Sequence, residues 1–227
     1  MNQNIREYIR QAAFAGGGAL AASALYKLIR RKKATKFGLL TSLLLGGTAG
    51  IGTHRLFYGK PYDNSAVDPA KLKAGDSFHI VFSGAGDGEG AWPNFGSMRK
   101  LFKPGKAAFF RFNDSAEADK LLATLPKGVN LHVTGYSWGG KAANAFAKKH
   151  DIPSLHLIDP VSRFGNDIKK GAVVFKPSST LPNTASDLSD LIATVGGRWN
   201  YSGDNINIYN GTHHWGTDEP MRTIAKK

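Results

Sequence analysis

The chain has 227 residues and a mass of 24.4 kDa, long enough for one domain with its own core plus an extension. Hydrophobic residues at 41%, charged residues at 21% and a mean hydropathy of -0.28 exclude wholesale disorder and a chain made mostly of membrane spans. The absence of cysteine excludes disulfides, thiolate zinc sites, iron-sulfur ligation and cysteine nucleophiles, and the net charge of +13 is mostly N-terminal, since residues 1–60 hold ten Lys/Arg and one acid, Glu7.

Two uncharged stretches, Gln11 to Tyr26 and Phe37 to Thr53, flank the basic run KLIRRKKATK. At about 16 and 17 residues they lie at the lower edge of spanning length, and flanking Lys and Arg extend them by snorkelling. Gly46 and Gly50 form a small-xxx-small pair, and Gly16 to Gly18 offer a facing groove for a second helix. Residues 1–60 are therefore expected to form a Gly/Ala-rich helical hairpin that anchors the chain in a membrane. By the positive-inside rule the loop carrying Lys27, Arg30, Arg31, Lys32, Lys33 and Lys36 faces the cytoplasm, which puts residues 61–227 on the other side. A single span by the second stretch gives the same placement. A soluble hairpin packed on the domain and a cleaved signal peptide ending in ALAASA are the alternatives; the basic run that follows argues against cleavage. RRKK lacks the aromatic interleaving of a nucleic-acid surface, so no nucleic-acid partner is expected.

From about Tyr62 short apolar runs alternate with helical ones. SFHIVFSG (77–84) and AAFFRFN (107–113) read as strands, SAEADKLLATL (115–125) as a helix capped by Ser115, and VNLHVTGY (129–136) as a third strand. A helix over 138–150 leads to a fourth strand, 154–160. AVVFKP (172–177) and NINIYNG (205–211) are the last strands, with a short helix over 185–195 between them. Buried strands separated by helices predict an α/β fold, a mostly parallel sheet with helices on both faces.

Strand, sharp turn and helix meet at Gly135-Tyr136-Ser137-Trp138-Gly139, which fits G-x-S-x-G in the context that pattern requires. A serine on a strained turn needs small neighbours two residues either side, and the following helix aims its N–H groups at the site. A tight turn whose serine merely caps the helix is the alternative. A serine hydroxyl becomes nucleophilic when a histidine takes its proton, and a carboxylate fixes the tautomer of that imidazole. Asp159 ends the next strand and is the favoured acid, with Asp187, Asp190 and Asp204 as substitutes. His213 and His214 follow the last strand, where the base belongs; His54, His79, His132, His150 and His156 read as structural. The oxyanion of a tetrahedral intermediate needs two donors. Trp138 N–H is one, and Ala85 or Gly84, in the loop SGAGDG, supplies the other. That loop lacks the spacing of a nucleotide-binding loop, and adjacent histidines do not make a metal pair on one helix face, so no cofactor or metal is expected.

The order of SGAG loop, GYSWGG elbow, LIDPVSR and late histidine resembles the α/β-hydrolase superfamily, specifically its small lipase-like bacterial and phage members, over about residues 76–220. The resemblance implies Ser137 as nucleophile, Asp159 as acid and His214, rather than His213, as base, with no cofactor. Asp159 lies on the strand adjoining the serine's, where many members place the acid one strand later. The expected activity is that of a serine esterase or lipase-like hydrolase acting on lipid or acyl esters, with Trp92, Phe95, Trp138 and Trp215 as an apolar surround and segment 161–200 as a small lid. A thioesterase or peptidase using the same triad, and a non-enzymatic membrane-associated scaffold, are the alternatives.

Overall fold

The computed structural model describes residues 60–84, 95–162, 167–178, 198–199, 205–211 and 217–227. The described elements are β1 (Ser77–Ser83), β2 (Ala107–Arg111), α1 (Ser115–Thr124), β3 (Asn130–Tyr136), α2 (Gly139–Lys149), β4 (Ser154–Ile158), β5 (Val173–Pro177), β6 (Ile206–Tyr209) and α3 (Asp218–Ile224), with 3-10 turns at Pro69–Lys71 and Phe95–Leu101. They belong to a compact unit, Gly59–Lys227. All six strands form one sheet in the order β2-β1-β3-β4-β5-β6, and every adjacent pair is parallel.

Period-two alternation sends the two sides of each strand into separate cores. Phe78, Ile80 and Phe82 of β1 join Val133, Leu155, Leu157 and Val174 under α1 and α2, which contribute Ala118, Ala143, Phe146 and Ala147. Val81, Phe109, Tyr136, Ile158 and Phe175 face the other way and pack with Phe102, Met221 and Ile224, so α3 and a 3-10 helix cover that face. Both faces are thus buried, as a parallel sheet requires.

The eight strands and helices expected over described residues are present, with ends shifted by one or two residues. The Ser115 cap is corrected. Ser115 is the first helical residue and Asp114 the N-cap, with no side-chain capping bond. The Asp114 carboxylate is engaged by Arg111 instead, at 2.8 Å from Nε and 2.9 Å from Nη2. Helix α3 is not signalled by the sequence because Pro220 stands inside it; a proline is tolerated there because it lies in the first turn, where amides have no intrahelical acceptor. No helix among the described residues is long and apolar enough to cross a membrane. The stretches 11–26 and 37–53, expected to form the hairpin, and the helix expected over 185–195 lie outside the described residues.

Candidate active site

Strand order locates the site before any side chain is considered. From β1 the chain moves to β2 on one side of it, and β3 to β6 are laid down on the other, so the direction of winding reverses between β1 and β3. Loops leaving the C-terminal ends of such neighbouring strands diverge and leave a crevice. The loop after β1 begins with the buried Gly84, and the turn after β3 carries Ser137.

Ser137 has a φ of 53°, a left-handed backbone that a non-glycine residue adopts only under constraint. The constraint is visible. A Cβ on Gly139 would strike the Phe82 carbonyl oxygen and lie 2.5 Å from that of Ser83, so α2 starts against the end of β1 at a distance only glycine permits. A Cβ on Gly135 would meet the Gly139 carbonyl oxygen and approach Ala143 Cβ to 2.6 Å, which is why β3 and α2 close tightly around the serine. These two glycines flank Ser137 at the motif's fixed offsets, and their physical role is to let strand, turn and helix occupy one small volume. The alternative of a capping serine is not what the helix displays: its N-cap is Trp138, at the start of α2. The fold is an α/β sheet of parallel strands with a strand-turn-helix junction at Ser137.

Asp159 sits in the same layer as Ser137. Tyr136 pairs with Ile158, and Ile158 with Phe175, so Ser137 and Asp159 are each the first residue past the ends of adjacent strands. The backbone ties them: Ser137 N donates to Ile158 O at 3.0 Å, and Val161 N donates to Ser137 O at 3.0 Å, one bond on each side of Asp159. Asp159 also has a positive φ, 39°, and is 1% exposed. Its Oδ2 lies 2.7 Å from Arg198 Nη2. Burial pushes the Lys176 amine below the usual lysine range; Asp159 opposes that shift and Arg198 adds to it. Neither Arg198 nor Lys176 is signalled by the sequence, because neither belongs to the motif and only strand pairing brings them to the acid.

Trp138 is 39% exposed and its ring meets Phe112 edge-on, with centroids 5.6 Å apart. Strand β6 is parallel to the rest, so the chain leaves it at the edge that carries Ser137 and Asp159. There Ser178 fastens β5 to β6: its N–H donates to Tyr209 O at 2.8 Å, and its Oγ accepts from Gly211 N at 3.2 Å. Ala85, Trp92, His54, Asp187, Asp190, Asp204, His213, His214 and Trp215 lie outside the described residues, as does most of the segment expected to form a lid.

Four of the five histidines read as structural, His79, His132, His150 and His156, lie among the described residues. His79 stacks on His132 at 4.7 Å and both lie in the N-terminal half of the sheet. His156 accepts from Lys227 Nζ at 3.0 Å. His150 is engaged by Asp119 at 2.6 Å. Among the described residues no cluster suits a metal ion. A pocket of about 510 Å³ lined by Asn130, His132, Ser154 and Lys227 opens at the opposite edge from Ser137, and its polar groups bond one another, His132 Nδ1 to Ser154 Oγ at 2.8 Å and Ser77 Oγ to Lys227 O at 2.7 Å.

No protein-family model matches the chain, and no curated protein matches it either. Solved structures similar to it include a serine hydrolase without a lid from Xanthomonas campestris, 10% identical, with 71% of this chain and 84% of that one covered and a TM-score of 0.43. Est1E from Butyrivibrio proteoclasticus is 12% identical over 69% of this chain and 89% of its own, with a TM-score of 0.40. A type II thioesterase from the yersiniabactin biosynthetic pathway is 11% identical over 68% and 93%, with a TM-score of 0.38. Likenesses this distant say nothing of what this chain acts on.

Proposed function

We propose that this protein is a serine hydrolase that cleaves carboxylic esters, with lipid or acyl esters as its substrate class. The observation that carries the proposal is Ser137, held at a positive φ on a glycine-lined turn between a central parallel strand and a helix N-terminus, one strand from a buried aspartate. In this reading Ser137 Oγ attacks the ester carbonyl while its proton passes to His214, with His213 as the alternative base. Asp159 orients that imidazole. The tetrahedral oxyanion accepts hydrogen bonds from Trp138 N–H and from the N–H of Ala85 or Gly84. The imidazolium then protonates the leaving alcohol, and a water activated by the same histidine releases the acid from the acyl-enzyme. No cofactor takes part.

The apolar preference is supported by Trp138, more than a third exposed beside the nucleophile and backed by Phe112. Attachment to a membrane, with the hydrolase domain on the non-cytoplasmic side, is supported by the two uncharged stretches and the basic loop between them. The deciding experiment is labelling of the purified protein and of Ser137→Ala with a fluorophosphonate probe, which needs no guess at the substrate. Labelling of the wild type that disappears in the variant is expected. An unlabelled but folded wild type would overturn the proposal in favour of a non-enzymatic scaffold. A panel of esters, thioesters and peptides then separates esterase from thioesterase and peptidase.

A further inference from the structure

Arg198 is not called for by a serine-histidine-aspartate mechanism, yet it is built into the site. Its side chain is 15% exposed and its Nη2 is 2.7 Å from Asp159 Oδ2. The segment that carries it is fastened to the two residues after the acid: Trp199 N donates to Pro160 O at 3.0 Å, and Arg198 faces Val161 across an antiparallel bridge. Arg198 is therefore delivered to Asp159 from a distant part of the chain by backbone pairing. A carboxylate 1% exposed carries a large desolvation cost, which the half-buried guanidinium offsets through a short charge-assisted bond. The contact is made through Nη2 alone, and the rigid guanidinium gives that bond to Oδ2 a fixed direction, which a flexible ammonium does not. The charged groups that the described elements bring toward Asp159 are Arg198 and, on β5, Lys176.

We propose that Arg198 is a positioning residue of the hydrolytic site, which fixes the Asp159 carboxylate through Oδ2 and thereby sets both the orientation and the basicity of the histidine that Asp159 holds. The inference rests on Asp159 being the acid of the proposed triad. Its electrostatic consequence has a definite sign. A carboxylate shared with a guanidinium stabilises an imidazolium less than an unshared one does, so Arg198 holds the base's pKa down and extends hydrolysis toward lower pH. Its geometric consequence is separate, because the rigid guanidinium holds Oδ2 from one direction and an ammonium in its place retains only the charge.

The test is the pH dependence of kcat and kcat/KM on p-nitrophenyl butyrate for the full-length wild type, Arg198→Met and Arg198→Lys. Arg198→Met is expected to lower kcat by about tenfold or more, within the contribution of a positioned general base, with KM held within about twofold. Its acid limb of kcat/KM should move to higher pH. Arg198→Lys should also lower kcat but leave the acid limb near the wild-type position, because the charge is kept and the fixed direction of the Nη2 contact is lost. Wild-type kcat and an unmoved acid limb in Arg198→Met would overturn the proposal. If Arg198→Met does not fold, wild-type kcat in Arg198→Lys would overturn it equally. A rise in KM confined to anionic esters, with kcat unchanged, would make Arg198 a substrate-binding residue and sink the positioning role. Fluorophosphonate labelling of Ser137→Ala and turnover by Asp159→Asn are run alongside. Retained labelling there means that the hydrolase reading itself has failed, full turnover by Asp159→Asn means that Asp159 is not the acid and removes this inference with that assignment, and silent arginine variants beside an inactive Ser137→Ala remove this inference alone.

Discussion

Ser137→Ala removes the one hydroxyl that the elbow presents, and kcat on an activated ester is expected to fall roughly a millionfold. Asp159→Asn keeps the shape but orients the wrong tautomer of the base, and a loss of roughly ten-thousandfold is expected from the same assay. Gly139→Ala acts differently. The added methyl collides with the carbonyls of Phe82 and Ser83, which are backbone and have nowhere to go, so a destabilisation of about 1 to 3 kcal/mol or more is expected in urea unfolding. The buried histidines set an acid limit on the fold. Burial, aided by His132, pushes His79 down to about 3, and burial, aided by Lys227 and the neighbouring histidines, pushes His156 down to about 3. Unfolding lets each take up a proton near the ordinary histidine value of 6.5. Between those values the unfolded state binds more protons, so stability is present above the unfolded pKa and is lost as pH falls, at up to about 1.4 kcal/mol per pH unit for each histidine. Urea midpoints measured from about pH 7 to about pH 4 should therefore drop, and His79→Phe should flatten the slope.

Helix α2 shows how one element serves fold and site together. Its first turn supplies the small residues that let Ser137 adopt its backbone, and its far end anchors the helix through Phe146, which is 3% exposed and meets Phe82 at 5.5 Å. Phe146→Ala should cost about 3 to 5 kcal/mol, read from thermal or urea unfolding, because the cavity it leaves is walled by sheet and cannot collapse. Labelling of Ser137 in that variant should survive at temperatures where it remains folded, since the glycine contacts at the helix start are untouched. The elements themselves were legible because each carries a local signal, a short apolar run for β1 to β5 and helical spacing for α1 and α2. The cap of α1 was not legible. Ser115 and Asp114 are both capping residues by type, and the outcome turns on Arg111, which takes the Asp114 carboxylate in a two-point contact.

At the scale of the molecule, the described residues bury both faces of the sheet in two cores of their own. A chain beginning at Lys60 is expected to unfold cooperatively and to hydrolyse a soluble ester at the full-length rate, while losing the flotation with lipid vesicles expected of the full chain; a fragment that cannot fold would show that the N-terminal region completes the core. The sequence by itself determined the class of fold, the turn at Ser137 and the residues that start and end it. Those follow from local requirements: short apolar runs, helical spacing, and the steric need for glycine around a left-handed serine. Only the tertiary structure decided that Asp159 lies level with Ser137, that winding reverses beside the turn, and that Arg198 and Lys176 bear on the acid. Each of these depends on register between strands and on a segment nearly forty residues away returning to pair with Val161, and long-range pairing leaves no mark in the local pattern of a chain.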